Sequence, residues 1–478
     1  MIPVTKSIIK FGTDGWRGVI AEDFTFDNVR ICAQGVASYH KSLGIESSPI
    51  VVGYDTRFGS EAFAYAVAEV LSANQIPTLL CGSATPTPVV SWNVLSHQAA
   101  GGIIITASHN PSQWNGFKYR TAYGGSPSSE IITTLEQEIA MLTRSGNDPT
   151  NEALTDESTP ITHINGKDSY IPHFETITDL GMIRDAGLSL VIDVMHGAGA
   201  GFLGPLLSGG STKTRELRSQ RNPAFPGMHN PEPIASNLAM LSTVVSNSRA
   251  DLGLALDGDA DRLGVVDGDG NYITSLQIFA LLAYYLLEVR RVKGPIIKSV
   301  TVGQMVFKLA QIYDVPIFET GVGFKHIAPM MVAENAILGG EESGGYAFRG
   351  HIPERDGIVS GILLLDLIAR TGKSLSALLK ELCNRIGPHH YDRIDIKFES
   401  ERRQDLTSRL QNCQPKVLGD KRVTKVDSID GVRFHLEDGS WVMLRFSGTE
   451  PLLRIYAEAE SIEHVKKILR DAQDFAGI

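Results

Sequence analysis

The chain is poor in the features that would set it apart from an ordinary globular enzyme. Its four cysteines, Cys32, Cys81, Cys383 and Cys413, lie far apart without Cys-x-x-Cys spacing, so neither a zinc site nor a disulfide framework is suggested and a reducing cytoplasm fits best. No cationic stretch followed by an apolar core stands near the amino terminus, so no secretory signal is expected. The longest nearly apolar run, Leu276 to Leu287, is well short of the roughly 18 residues that a membrane helix needs and reads as buried helix. Cationic excess is missing too. Lys and Arg number 44 against 54 Asp and Glu, a net charge of −10, which disfavours nucleic acid or an anionic membrane as a general partner. An anionic small molecule remains allowed where cations gather locally.

What the chain does have is length and a recurring unit. At 478 residues it exceeds what one hydrophobic core supports, and three or four domains are expected. Val51-Val52-Gly53-Tyr54-Asp55-Thr56-Arg57, Leu190 to Asp193 and Pro295 to Lys298 are short apolar strands, each followed by a polar turn and a helix-like stretch. After each comes a second strand ending in a loop of functional residue types: Gly102 to Ile105 before Thr106-Ala107-Ser108-His109-Asn110-Pro111, Leu252 to Leu256 before Asp257-Gly258-Asp259-Ala260-Asp261-Arg262, and Ala336 to Leu338 before Gly339-Gly340-Glu341-Glu342-Ser343-Gly344-Gly345. Continuous apolar strands alternating with helices, such as the stretch from Ser60 to Leu71 with Ser60 as its cap, predict largely parallel two-sided sheets. A polar segment from Ser145 to Pro160 reads as a linker. The last part differs: Val432 to Leu436 alternates with period two, Asp438-Gly439 is a turn, Trp441 to Phe446 returns, and a terminal helix opens at Ser461, which predicts an antiparallel sheet with helices on one side. The fold class is therefore α/β, three related mixed domains followed by a smaller α+β domain.

The loops carry the chemistry. Ser108 stands at the tip of a triple-Ile strand, where α/β proteins place reacting groups, although such a serine taken alone is a common turn residue. Asp257, Asp259 and Asp261 alternate, so in an extended chain all three carboxylates face one way and repel unless a hard cation such as Mg²⁺ sits among them. A calcium-binding helix–loop–helix is excluded, because Arg262 and Gly268 stand where its Gly and Glu belong. Arg262 suits either a salt bridge to these carboxylates or a clamp on a phosphoryl group. Phe11 to Gly18 reads as a flexible glycine-rich loop carrying Arg17, and Lys118 follows Ser108 closely. Near the end, Arg445-Phe446-Ser447-Gly448-Thr449-Glu450-Pro451 with Arg454 forms a donor-rich phosphate cradle. Nucleotide loops are excluded: Phe202 replaces the third glycine of a dinucleotide fingerprint and Leu367 the first of a P-loop.

The Ser108 loop, the aspartate loop, Gly340 to Gly345 and the Arg445 to Pro451 stretch, in that order, resemble the four signatures of the α-D-phosphohexomutase superfamily. The resemblance spans the whole chain and implies four domains around a central cleft, here 1–158 for phosphoserine, 159–268 for metal, 269–386 for sugar recognition and 387–478 for the distal phosphate. It implies that Ser108 is the phosphorylated carrier and a metal ligand with Asp257, Asp259 and Asp261, that Arg17, His109, Lys118 and Arg262 surround it, that Glu341, Ser343 and Lys325 contact the sugar, and that Arg445, Ser447, Gly448, Thr449 and Arg454 hold the non-reacting phosphate. The implied reaction interconverts glucose 1-phosphate and glucose 6-phosphate through a glucose 1,6-bisphosphate intermediate, which also activates the enzyme, with Mg²⁺ as cofactor. Glu342 and the Thr320 to Lys325 segment resemble phosphoglucomutases, with Gly321 in place of Pro, whereas Gly345 stands where mannose- and glucosamine-phosphate members often carry His. Alternatives are a glucose 1,6-bisphosphate synthase, a phosphomannomutase and, from another class, a phosphatase using Asp257 as nucleophile. Hexose mono- and bisphosphates are the expected partners, with no nucleic acid or membrane, in a cytoplasmic monomer or homodimer.

Overall fold

Three sheets in succession repeat one strand order. The computed structural model describes residues 9–12, 14–145, 158–412, 415–447 and 452–477. In the first sheet Ile50–Tyr54 lies between Thr78–Cys81 and Gly101–Ile105, all parallel, and Trp114–Thr121 runs antiparallel along the outer side of Gly101–Ile105. In the second, Ser189–Asp193 lies between Lys213–Leu217 and Leu252–Leu256, with Leu263–Asp267 antiparallel outside. The third places Ile296–Ser299 between Ile317–Thr320 and Leu338–Gly340, with Tyr346–Phe348 antiparallel outside. Each functional loop therefore occupies the same joint, between the last parallel strand and its antiparallel neighbour.

The central strands Ile50–Tyr54, Gly101–Ile105 and Leu252–Leu256 are buried along their whole length, as continuous apolar runs covered on both faces must be. Ile103, Ile104 and Ile105 are each fully buried, and burial of one such side chain contributes about 1.5–3 kcal/mol. That anchors the root of the Ser108 loop.

Four details correct the expectations from sequence. Trp16–Val19 is not a flexible loop but an edge strand paired with Trp114 to Phe117, because the glycines allow close pairing: a Cβ on Gly15, whose φ is +89°, would meet the Phe117 carbonyl at 2.4 Å. Ser60 does not cap its helix; Gly59 holds that position, and the Ser60 hydroxyl donates to Asp55 at 2.8 Å instead. The third functional loop starts later than expected, at Glu341, because Gly339 and Gly340 still pair with Ala347 and Tyr346. Ile161–Ile164 pairs parallel to Thr78–Cys81, so the first sheet continues past residue 158, and the junction between the first two domains, kept as a proposal, moves to the Asn165-Gly166 turn. Most of the 145–160 linker, residues 146–157, lies outside the described residues.

The fourth sheet, in the order His390–Lys397, Leu452–Ala459, Trp441–Phe446, Val432–Leu436, Lys421–Asp427, Val417–Leu418, is antiparallel throughout. Period-two alternation gives it two unlike faces. Phe434, Val442, Leu444, Leu453 and Ile455 pack on the helices Arg403–Asn412 and Ile462–Ala476, the latter capped by Ser461. The opposite face carries Arg393, Arg433, Trp441, Met443, Arg445, Arg454 and Tyr456. Trp441, Met443 and Tyr456 cluster with Val300 and Val322 of the third unit. Arg433 adds a seam bond, reaching Glu319 at 2.8 Å. No helix among the described residues is long and apolar enough to cross a membrane.

Candidate active site

Ser108 is 1% exposed and takes a left-handed backbone, φ +50°, which is uncommon for a residue with a Cβ. The loop turns back at once, with Asn110 N–H donating to the Ala107 carbonyl at 3.0 Å. The Ser108 hydroxyl donates to Asp257 Oδ2 at 2.9 Å, and His109 Nδ1 lies 3.4 Å from it. Only glycine permits this approach of the two loops, since a Cβ on Gly258 would lie 2.5 Å from the Ser108 carbonyl oxygen.

The three aspartates do converge, although not as an extended strand. Ala260 adopts φ +59° and its N–H bonds the Asp257 carbonyl at 3.0 Å, so a tight turn brings one oxygen of each of Asp257, Asp259 and Asp261 within 4.8 Å of the others. All three side chains are buried. Asp259 Oδ1 and Asp261 Oδ1 have no hydrogen-bond donor. Burial, then the neighbouring charges of Asp261 and Asp259, pushes the Asp257 carboxyl well above the usual range. Orphaned carboxylate oxygens at this spacing fit a hard divalent cation with oxygen ligation, and the Ser108 hydroxyl is placed to join them.

Cations complete the centre. Lys118 Nζ lies 2.8 Å from Asp259, 2.7 Å from Asp14 and 3.5 Å from Asp261. Burial alone would lower its pKa, but these carboxylates outweigh it and hold the ammonium charged. Arg262 does not bridge all three aspartates; its guanidinium reaches Glu232 at 2.9 Å and only approaches Asp261, at 3.8 Å. Arg17 bonds the Asn110 side chain of the serine loop. His109 is held neutral, its pKa pushed well below the usual value by burial and then by Arg262 and Arg17.

Sequence reasoning missed the residue that joins the loops. Arg355 contacts Asp14 at 2.6 Å, Asp261 at 2.9 Å and Glu341 at 3.4 Å, and so links the first, second and third units through one guanidinium. Its partner Asp14 also binds Arg120 at 2.9 Å. Thr87 donates to Asp259 at 2.6 Å. The charged run Glu354-Arg355-Asp356 was the available signal, but nothing local says what it meets.

Of the residues expected to contact the sugar and the distal phosphate, Glu341 joins this network directly through Arg355, and the others connect to it through Glu341 or lie apart. Glu341 accepts the Gly323 N–H at 2.6 Å, and the adjacent Val322 N–H donates to Asp430 at 2.9 Å, which holds Arg445 Nε at 2.9 Å. Lys325 stands in the first turn of the helix Phe324–Ala333 and lines a cleft of about 430 Å³ with Thr320, Gly321 and His326. The Ser343 hydroxyl is buried without a hydrogen-bond partner. Arg445 sits directly opposite Arg454 on the neighbouring strand, an arrangement that costs energy unless anions intervene. Asp430 serves Arg445, and Asp395 lies 3.7 Å from Arg454. Ser447 ends the described part of this loop; Gly448 and Thr449 lie outside the described residues.

Family models for phosphoglucomutase/phosphomannomutase match four successive stretches: α/β/α domain I over residues 9–145, domain II over 168–270, domain III over 274–386 and the C-terminal domain over 404–474. A phosphoglucomutase/phosphomannomutase of Thermococcus kodakarensis is 30% identical over 462 residues, covering 96% of both chains. A Methanothermobacter thermautotrophicus protein, named a probable phosphoglucosamine mutase, is 32% identical over 96% of this chain and 95% of its own. A crystal structure of a Thermus thermophilus protein described as a candidate phosphomannomutase superposes with a TM-score of 0.85 at 33% identity, covering 99% of this chain and all of the other.

Proposed function

The chain belongs to the phosphoglucomutase/phosphomannomutase family, a family of phosphoryl-shifting isomerases, and from that membership we propose that it interconverts glucose 1-phosphate and glucose 6-phosphate. The observation that carries this reading is the Ser108 hydroxyl 2.9 Å from Asp257, inside a buried set of three carboxylates and flanked by fixed cations.

The phosphoryl group on Ser108 passes to the free hydroxyl of the bound hexose monophosphate: the bond from phosphorus to the serine oxygen breaks and one to the sugar oxygen forms, giving glucose 1,6-bisphosphate. The bisphosphate turns end for end and returns its other phosphoryl group to Ser108. Asp257, Asp259 and Asp261 with Ser108 would hold Mg²⁺, which when bound neutralises phosphoryl charge. Because such transfers run through a loose transition state, the protein's part is positioning and charge. Lys118 supplies a buried fixed ammonium, Arg262 and Arg17 reach the same loops, and neutral His109 stands beside the reacting oxygen. Glu341, Ser343 and Lys325 orient the sugar, and Arg445, Ser447 and Arg454, with Gly448 and Thr449, grip whichever phosphate is not reacting. Glucose is favoured over mannose by Glu342 and by the Thr320 to Lys325 segment, as read from the sequence. We place the enzyme in the cytoplasm, as a monomer or homodimer.

The test is to follow glucose 1-phosphate conversion with and without trace glucose 1,6-bisphosphate, and then with fructose 1,6-bisphosphate as donor. Activation by the trace bisphosphate supports the mutase. Accumulating glucose 1,6-bisphosphate makes the enzyme a synthase, mannose 1-phosphate turning over faster makes it a phosphomannomutase, and release of inorganic phosphate with Ser108 dispensable makes it a phosphatase.

A further inference from the structure

We infer that Asp55 is a positioning residue that fixes the backbone of the reacting serine through two arms, Thr106 and Arg57, an inference that rests on reading Ser108 as the phosphoryl carrier. Asp55 follows the strand Ile50–Tyr54, and its N–H bonds the Ile105 carbonyl at 3.0 Å, so it sits beside the root of the serine loop. Its Oδ2 accepts the Thr106 hydroxyl at 2.6 Å, and the same hydroxyl oxygen accepts the Ser108 N–H at 2.8 Å. That is the first arm.

The second arm runs through a guanidinium with no exposed surface. Arg57 Nε is 3.1 Å from Asp55 Oδ2, and Nη2 donates to the carbonyls of Ser108 and Asn110, both at 2.6 Å. Nη1 donates to the carbonyls of Pro111 at 2.8 Å and Trp114 at 3.0 Å. The ring of Phe225, from the second unit, lies 5.0 Å from the guanidinium carbon. Both backbone polar groups of Ser108 are thus tied to one carboxylate. Oδ1 of that carboxylate is itself fixed by the Ser60 hydroxyl at 2.8 Å and the Arg57 N–H at 2.9 Å.

The bonds of Asp55 and Arg57 go to the serine loop and its surroundings, not to the aspartates of the candidate metal site. Their part is to impose a left-handed φ at Ser108 that the chain would not adopt unaided, and so to aim Oγ at Asp257. Turning the peptide on either side of Ser108 would swing Oγ by roughly an ångström or more, a displacement that can cost roughly 100-fold in rate. A loop that merely needed its carbonyls satisfied could use neutral donors; a fully buried charge pair spanning the loop fixes direction as well.

The experiment compares Thr106→Val, which keeps shape but removes the relay, with Thr106→Ser, which restores the hydroxyl, in the full-length enzyme with Mg²⁺. Expected for Thr106→Val is a kcat lower by roughly tenfold to 100-fold, an unchanged KM for glucose 1-phosphate because the distal cradle is untouched, and slower phosphorylation of Ser108 by glucose 1,6-bisphosphate in intact-mass measurements. Thr106→Ser should recover most of kcat. Arg57→Lys, which retains charge but loses the fork, should repeat the Thr106→Val result and replaces it if that variant does not fold. Wild-type kcat in both variants, a loss that follows melting temperature alone, or failure of both to fold would each overturn the inference. If wild-type protein never carries phosphate on Ser108, it is the carrier reading that fails, and intact mass distinguishes that outcome from the others.

Discussion

The two ends of the proposed substrate would meet opposite kinds of construction. At the reacting end, Ser108, Lys118, Asp257, Asp259 and Asp261 are almost wholly buried and every loop is tied to another: serine to aspartate, aspartate to lysine, and Arg355 across three units. At the distal end, Arg445 and Arg454 face each other across two antiparallel strands, with Asp430 and Asp395 as their carboxylate neighbours. The difference is chemical. Transferring a phosphoryl group demands fixed positions, whereas gripping a phosphate from either end of a sugar demands only convergent positive charge.

The contrast breaks most directly at Ser108. Ser108→Ala should abolish turnover while binding of glucose 6-phosphate, followed by calorimetry, persists; retained turnover would dissolve the distinction between the two ends. Next comes the cation. Chelation should abolish activity and added Mg²⁺ restore it, and Asp257→Asn should lower kcat by roughly 100-fold to 1,000-fold, the size expected for losing a group that organises transition-state charge. Gly258→Ala forces a Cβ to 2.5 Å from the Ser108 carbonyl and should lower kcat by about tenfold to 100-fold with little change in KM. Arg445→Ala sharpens the comparison from the other side: losing a charge-assisted bond, worth about 1.5–3 kcal/mol, should raise KM by about tenfold to 100-fold and disturb kcat less. An effect of Arg445→Ala on kcat alone would contradict its place at the distal end.

The smallest expected effect is one of acid stability. Burial holds His40, bonded to Tyr119 inside the first unit, at about 4, below the value of about 6.5 in an unfolded chain. Between those two values the unfolded state takes a proton that the folded state refuses, so the first unit loses stability as pH falls from about 6.5 toward 4. Glu319, at the seam between the third and fourth units, would be raised by burial, but Arg433 and Lys298 outweigh this and hold it at about 2. Its contribution is full above the unfolded carboxylate value and fades only as pH falls toward 2. Hydrogen exchange at successive pH values should show the first unit loosening before the seam. The reverse order would refute the assignment.

Much of this was legible in the sequence where the signal is local. The Val432–Leu436 and Trp441–Phe446 strands fall where alternation and Asp438-Gly439 put them, because period and turn chemistry act within a few residues. The aspartate loop was legible for its acids though not for its backbone, since no local rule announces a left-handed Ala260. Arg355 stood out only as part of a charged run, and its role as the link between units was not legible. Its partner Asp14 is 341 positions away, and a contact over that separation leaves no trace in the spacing of neighbouring residues. Ser60 misled for a different reason: a good capping residue was claimed by a carboxylate only five positions earlier, Asp55, and Gly59 took the cap position.

The joint that recurs in the first three sheets separates what must stay from what can vary. The strands on either side are held by their own ladders, so a loop there can change in length or lettering without disturbing the pairing beneath it. On the proposed function, exchange of the stretch from Glu341 to Gly345 together with Thr320 to Lys325 between relatives should therefore transfer hexose preference as a cassette, provided that Glu341 and its contact to Arg355 are kept.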